Sequence, residues 1–202
     1  MRKFKIYLIV SLLLLSLVGC AQDQSNRPDE LYNEGNALMR KIESGLRAGE
    51  YERNKMTQSK KEEVLAIEKK FKEAIELWPK HGRAHIMLGM LYKFVERYED
   101  AIPHLEVGMT LPKGSKDWGI AADTLGSVYM MMNDAKSGAK IFEEVVQVIP
   151  NDSMAYYKLG VCYAVIPNMK KAKEAFDKVI QLNDTHVGSA KAMIKQFKLE
   201  SL

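Results

Sequence analysis

The sequence predicts an all-α solenoid of helix-turn-helix repeats that ends in one further helix. A Leu-Gly pair followed three residues later by Tyr occurs three times, and its glycines, Gly89, Gly126 and Gly160, lie 37 and then 34 residues apart. Within these segments, apolar side chains recur at the spacing i, i+3/i+4, i+7, which is the period of one helix face. An internal period of about 20 to 50 residues is the signature of a stacked-repeat architecture.

A second motif follows each Leu-Gly pair and predicts the second helix of each repeat. Phe142 and Phe176 are again 34 residues apart, and Leu105 takes their place in the first clear copy. We expect the glycines to lie where two helices cross closely, with the aromatic side chains filling the space between the helices. The three copies end at Pro112, Pro150 and Asn183.

Together these motifs resemble the tetratricopeptide repeat (TPR), a unit of about 34 residues that forms two antiparallel helices. Leu-Gly-x-x-Tyr is typical of its first helix and Ala…Phe…Pro of its second. Three copies match, at residues 82–118, 119–152 and 153–186. The resemblance implies an all-α TPR solenoid in which the first helix of each repeat lines a concave surface.

Residues 29–81 depart from this pattern, and we interpret them as a degenerate first repeat with a charged insertion. The stretch 50–63 carries eight charges in fourteen residues, which is typical of an exposed loop or of a solvated helix extension. Ser59 and Glu62 fit a capping box, which predicts that the second helix of this repeat begins near Lys60.

The last segment, residues 187–202, predicts an amphipathic helix. Such a helix commonly covers the open end of a repeat stack, where the last repeat would otherwise expose its apolar face. The apolar positions of this capping helix are Val187, Met193, Ile194 and Phe197.

The N-terminal residues carry the features of a lipoprotein signal and a short tether. Basic residues precede an apolar run of 13 residues at 6–18, which is shorter than the roughly 20 residues of a membrane-spanning helix. The run ends in Leu-Val-Gly-Cys, which resembles the lipobox of bacterial lipoproteins. We predict a signal peptide at 1–19, and a tether at 20–28 that begins with a lipidated Cys20. The alternatives are an uncleaved anchor helix and an ordinary signal peptide.

The lipobox resemblance implies attachment to a bacterial cell envelope. Ala21, and not Asp, follows the predicted lipidated cysteine, which favours the periplasmic leaflet of an outer membrane. In a host without an outer membrane, we expect the outer face of the plasma membrane. Removal of the predicted signal peptide takes 3 of the 30 basic residues and leaves 27 basic against 26 acidic residues. This balance gives no reason to expect a nucleic-acid partner.

Motifs for catalysis, metals and cofactors are absent from the sequence. There is no phosphate-binding Gly-rich loop, no HExxH and no paired CxxC, so we predict a protein that is not an enzyme and needs no cofactor. His81 and His85 are four residues apart, but Gly82 lies between them and no Cys or carboxylate pair is near, so we do not expect a metal site. We expect His85 and Cys162 to be buried packing residues.

The resemblance implies a protein-binding groove along the concave surface. Its positions are mostly apolar, and several are Met, whose flexible thioether adapts to varied apolar partners. Such a groove suits an amphipathic helix or an extended peptide. The predicted protein-binding residues are Ile86, Met90, Phe94, Asp123, Ser127, Met131, Tyr157 and Val161, and the wider face adds Arg83, Lys93, Ile120, Met130, Met154, Ala164 and Val165. The alternative is that these side chains pack on neighbouring helices.

The sequence therefore predicts a membrane-anchored, non-enzymatic scaffold or adaptor that binds a protein partner, with no small-molecule substrate. Short TPR lipoproteins of this kind resemble the pilotins of type IV pilus systems and the accessory lipoproteins of outer-membrane protein assembly, which implies a role in envelope complex assembly. A periplasmic holdase and an adaptor for a cell-wall enzyme are the alternatives. An enzyme would require a site within the insertion at 50–63.

Overall fold

The computed structural model describes residues 26–48, 50–51, 56–183 and 185–199, and this part of the chain is helical without any strand. The predicted all-α fold class is therefore confirmed. The predicted signal peptide at 1–19 and Cys20 lie outside the described residues. The helices are α1 (26–47), α2 (Gln58–Leu77), α3 (Gly82–Phe94), α4 (Tyr98–Gly108), α5 (Lys116–Met131), α6 (Ala135–Val148), α7 (Ser153–Val165), α8 (Met169–Leu182) and α9 (Val187–Gln196).

The helices form consecutive pairs from α3/α4 to α7/α8, with α9 packed beyond α8. Helix α1 pairs with α2, where the ring of Tyr32 lies 6.2 Å from that of Phe71. Each second helix also contacts the first helix of the next pair, and α3 contacts α5 directly. This pattern of neighbours is that of a stack in which successive pairs lie side by side. Three of the predicted repeat boundaries coincide with helix starts, at Gly82, Ser153 and Val187, whereas the boundary after residue 118 falls inside α5.

A close contact between a glycine and a bulky side chain recurs in each pair. A Cβ added to Gly126 would lie 2.5 Å from Phe142, and one added to Gly160 would lie 2.6 Å from Phe176. Contacts this short leave no room for any side chain, so glycine lets the two helices of a pair meet. In the first pair, a Cβ on Gly35 would lie 2.9 Å from Phe71. The α1/α2 pair is thus packed like the later repeats.

The charged insertion at 50–63 is helical only in its last part. Residues 50–51 form a turn and residues 56–57 are not helical, whereas α2 begins at Gln58, so the described residues show turns first and a helix extension from Gln58 onward. The helix cap is Thr57, whose hydroxyl accepts a hydrogen bond from the Lys60 amide at 3.4 Å. The predicted cap at Ser59 is wrong, because a capping hydroxyl was available two residues earlier. This region has its own buried side chains, Ile42, Leu46, Tyr51 and Val64.

The two ends of the solenoid differ from the predictions in detail. Residues 26–28, the end of the tether predicted at 20–28, already belong to α1, and Pro28 is buried. Proline is compatible with the first turn of a helix. Helix α1 therefore begins before Pro28, and the last residues of the predicted tether belong to the helix. At the other end, the apolar face of α9 packs on the core, and Leu199 beyond it is fully buried.

Candidate protein-binding surface

The first helices α3, α5 and α7 carry most of the predicted binding residues at equivalent positions. Phe94, Met131 and Val165 each lie five residues after the glycine of their repeat. Because the pairs stack in register, these side chains form a row across successive helices. We refer to the face of α1, α3, α5 and α7 that contains this row as the first-helix surface.

The row is strongly exposed in its later half. Met131 is 50% exposed and Val165 is 59% exposed, and Met154 at the start of α7 is also exposed. Large apolar side chains with this much exposure on neighbouring helices are a feature of protein-interaction sites. These three residues therefore lie on the surface and do not belong to the core.

The earlier half of the row lines a cavity between α1 and α3. Met90 and Phe94 are half-buried, and they face side chains from the extended part of α1 across a space of about 210 Å³. The cavity is lined by Asn36, Met39, Arg40, Glu43, Leu46, Arg47, Met87, Met90 and Phe94. The contribution of α1 was not predicted, because residues 29–81 depart from the repeat pattern that assigns positions to a face.

Ile86 does not belong to this surface, and its prediction as a binding residue is wrong. It is 3% exposed, and a Cβ added to Gly108 would lie 2.7 Å from its side chain and 2.7 Å from Ala121. Ile86 therefore fills the joint between α4 and α5. The side chain of Ile86 faces the next helix pair. The helix period of the sequence does not distinguish a position that a neighbouring pair covers from one that is open to solvent.

Tyr157 and Val161 are intermediate cases on α7. Both are half-buried and pack against the core. The ring of Tyr157 lies 6.0 Å from that of Phe176 and is stacked with the ring of His186 at 6.5 Å. Part of each side chain remains open to solvent.

The middle of the first-helix surface is polar and is tied together by Lys158. Its ammonium group forms an ion pair with Asp123 and donates a hydrogen bond to Ser127 at 3.1 Å, which links α7 to α5. Lys93 lies near Asp123 and beside the ring of Phe94, at 5.5 Å. Burial lowers the pKa of Lys93. Asp123 and Ser127 thus lie on the predicted face, and they are already engaged with a neighbouring helix.

The histidines considered as metal ligands have separate structural partners. His81 caps α3, since its Nδ1 accepts a hydrogen bond from the Ala84 amide at 3.2 Å and its Nε2 lies 3.0 Å from Asp29. His85 is buried, as expected, with its Nε2 at 3.0 Å from the Pro79 carbonyl and its Nδ1 at 2.9 Å from Nδ1 of His104. Within the described residues, no group of three metal-binding side chains occurs.

Cys162 is fully buried on α7, as the sequence predicted. Burial raises the pKa of its thiol to about 11, so the side chain is a protonated, apolar packing group at neutral pH. A nucleophilic cysteine must be accessible and must be a thiolate. Cys162 is buried and protonated, so it meets neither requirement.

Comparison with known proteins identifies the repeat. Residues 155–186 match the family model described as tetratricopeptide repeat. The chain is 24% identical over 117 residues to the general transcriptional corepressor trfA of Dictyostelium discoideum, a match that spans 56% of this chain and 8% of that protein. Among solved structures, MamA 41-end from Desulfovibrio magneticus RS-1 matches with a TM-score of 0.63 at 17% identity, over 86% of this chain and 88% of that one.

A second solved structure is YrrB, described as a TPR protein with an unusual peptide-binding site. It matches with a TM-score of 0.57 at 20% identity, over 70% of this chain and 73% of that one. Fold and matches together define the class, an α-solenoid of helix-turn-helix repeats. Residues 155–186 match the tetratricopeptide repeat, and the chain shares the fold of solved TPR proteins, so the predicted resemblance is confirmed.

Proposed function

We propose that the protein is a scaffold or adaptor that binds a protein partner along the first-helix surface. The observation that carries this proposal is the row of apolar side chains, from the cavity at Met90 and Phe94 to the exposed Met131 and Val165. A row that runs across successive helices matches an elongated ligand, such as an extended peptide or an amphipathic helix. YrrB, with a similar fold, is described as having a peptide-binding site, which supports the same kind of ligand for this chain.

We further propose that the protein acts at a membrane, to which Cys20 attaches it through lipid. The lipobox-like sequence before Cys20 supports this proposal. No helix among the described residues has the length and apolar character needed to cross a bilayer. Two or more acyl chains hold a protein stably at a membrane, whereas one chain does so only marginally. The role proposed is envelope complex assembly, pilotin-like or as an accessory of outer-membrane protein assembly, at the periplasmic leaflet of the outer membrane.

The membrane attachment is tested by replacing the cysteine. Cys20→Ala is expected to release the protein from membranes or to block its maturation, because the lipid acceptor is lost. Fractionation of cell membranes and the mass of the mature N-terminus provide the measurement. Unchanged processing and unchanged sedimentation with membranes would refute a lipid attachment at Cys20.

The binding surface is tested by crosslinking and affinity capture of the tagged full chain from native membranes. The double variant Met131→Glu/Val165→Glu places two charges in the exposed part of the row, where substitution costs little stability. We expect it to lose the partner while its melting curve is retained. Leu65→Glu is the matched control, since Leu65 is 60% exposed on the α2 extension, outside the row. Equal capture by both variants would contradict the proposal.

A holdase is the second candidate, and it is favoured by the methionines of the first-helix surface, Met90 and Met131. Flexible thioether side chains accept many apolar segments. The same capture experiment separates the two functions. One dominant, saturable partner supports the scaffold, and a broad set of unrelated envelope proteins supports the holdase.

A further inference from the structure

An exposed aromatic turn lies between α2 and α3, away from the first-helix surface. Leu77 is 58% exposed and its neighbour Trp78 is 48% exposed. Exposing two adjacent large apolar side chains to water is unfavourable in free energy unless a membrane or a protein partner covers them. Neither the fold nor the proposed protein-binding row explains them.

The turn holds Trp78 in a fixed position. Its amide donates a hydrogen bond to the Ala74 carbonyl at 2.9 Å, and its carbonyl accepts one from the His81 amide at 2.9 Å. The indole ring packs edge-on against the ring of His81 with centroids 5.0 Å apart. His81 is itself buried as the cap of α3. The exposed indole of Trp78 therefore packs against a side chain that is fixed in the core.

The turn lies beside the point where the N-terminal segment joins the solenoid. Nε2 of His81 is 3.0 Å from Asp29, and the ring of Tyr32 is 5.3 Å from that of His81. Asp29 lies three residues after residue 26, the first one described. From Cys20 to residue 26, six residues span at most about 20 Å. A lipid anchor at Cys20 would therefore keep a bilayer surface within reach of the turn.

We infer that the Leu77–Trp78 turn contacts the membrane and inserts into its headgroup layer, as a second contact beside the lipid at Cys20. Tryptophan favours this layer because its ring is apolar and its N–H reaches polar groups. The exposed Lys80 follows in the same turn and suits an anionic lipid surface. The inference rests on the proposed attachment at Cys20, and it goes beyond that attachment because two contacts restrict the rotation that one tether permits.

This second contact would fix the orientation of the solenoid. The turns between successive pairs lie at the same edge as the start of α1, because paired helices alternate in direction. With this edge at the bilayer, the helices of the stack stand away from the membrane, and the first-helix surface stays open to a partner.

The test uses tryptophan fluorescence of the full lipidated chain in vesicles of phosphatidylcholine and phosphatidylglycerol, with and without bromine on the acyl chains. The sequence has two tryptophans, and the other, Trp118, is fully buried. We expect brominated vesicles to lower the fluorescence of the native chain, and Trp78→Phe to abolish this quenching. Leu77→Ser should weaken the quenching, while Leu65→Ser, at an equally exposed leucine outside the turn, should leave it unchanged.

Sedimentation of the same samples separates the inference from the attachment on which it rests. A chain that sediments with vesicles but shows no quenching of Trp78 overturns the inference alone. A chain that stays in the supernatant overturns the attachment and the inference together. Loss of a protein partner in Trp78→Phe, without bromolipid quenching of the native chain, would assign the turn to protein binding and would also overturn the inference.

Discussion

Two junctions of the solenoid use the same contact but bury it to different depths. Where α2 meets α3, the hydroxyl of Tyr92 donates a hydrogen bond to Glu68 at 2.9 Å, and Glu68 is buried. Where α6 meets α7, the hydroxyl of Tyr163 donates to Glu143, whose side chain is more than one third exposed. An exposed charge keeps most of its hydration in both the folded and the unfolded state. The depth of burial therefore decides how much such a contact stabilises the fold.

The buried junction compensates the carboxylate of Glu68 with three donors. Lys72 lies 2.6 Å from it and Arg97 lies 2.8 Å from it, in addition to Tyr92. Burial raises the pKa of Glu68, but the hydrogen bonds from Lys72, Tyr92 and Arg97 outweigh this effect, so its pKa is lowered. The carboxylate therefore stays charged at neutral pH and holds the extended first pair against the second.

The largest expected effect comes from removing this charge. Glu68→Gln should lower the free energy of unfolding by about 2–3 kcal/mol, because the buried Tyr92 hydroxyl and the partly buried Arg97 lose their charged acceptor. Glu143→Gln, the same change at the exposed junction, should cost less than about 1 kcal/mol. Urea unfolding followed by circular dichroism measures both values. Equal losses would show that burial does not distinguish the two junctions.

The next effect tests whether the extended first pair is packed like the later pairs. Gly35→Ala and Gly160→Ala should each cost about 1–3 kcal/mol, because the added methyl group overlaps the ring of Phe71 or Phe176. Gly119 has no neighbour within 4 Å of an added Cβ, so Gly119→Ala should stabilise its helix by about 0.5–1 kcal/mol. The same unfolding assay applies. A neutral Gly35→Ala would mean that α1 and α2 do not pack as a repeat.

A smaller effect is the pH dependence contributed by the histidine pair beside the buried junction. Burial, the neighbouring His85 and Lys72 together lower the pKa of His104 to about 4, although Asp100 and Glu68 oppose this shift. Burial also lowers the pKa of His85. Unfolded histidines bind protons near pH 6.5, so the unfolded state is protonated first and stability falls as pH drops from about 6.5 toward 4.

This pH effect is measured as the free energy of unfolding at pH 7 and pH 5, a range in which few carboxylates titrate. We expect lower stability at pH 5 for the native chain and a smaller loss for His104→Gln, which keeps a hydrogen-bonding side chain without the titration. An unchanged loss in His104→Gln would place the pH dependence elsewhere.

The smallest effect concerns the ion pair across the first-helix surface. Lys158→Ala removes the link from α7 to Asp123 and Ser127, and for a partly exposed pair we expect a loss of at most about 1 kcal/mol. The difference from the native chain should shrink at high salt, because salt screens the attraction. Lys158 Nζ also lies 5.6 Å from the ring centroid of Phe142. A salt-independent loss would contradict the ion pair as the cause.

The repeats themselves were predictable because their residues perform the same packing task in each copy. Gly126 with Phe142 and Gly160 with Phe176 are local pairs whose spacing is set by the two helices, so the sequence period reports the fold directly. Gly35 with Phe71 performs the same task, but two extra helical segments lie between them. The period was hidden there, and only part of the first repeat was recognised.

The binding surface was less predictable because a helix period does not say what a neighbouring helix covers. Ile86 and Met90 lie one turn apart on α3, yet Ile86 is sealed by Gly108 and Ala121 while Met90 faces a cavity. That difference arises from the packing of α4 and α5. The α1 side of the cavity, including Arg40, was also hidden, since the degenerate first repeat lacks the pattern that assigns its residues to a face.

The central claim is that a partner binds along the apolar row of the first-helix surface. The most direct measurement places a photo-crosslinking amino acid at Met131, and in a parallel sample at Leu65, in the full chain in native membranes. We expect a discrete, saturable crosslinked product from position 131 and none from position 65. No product at 131, or the same products at both positions, would contradict it.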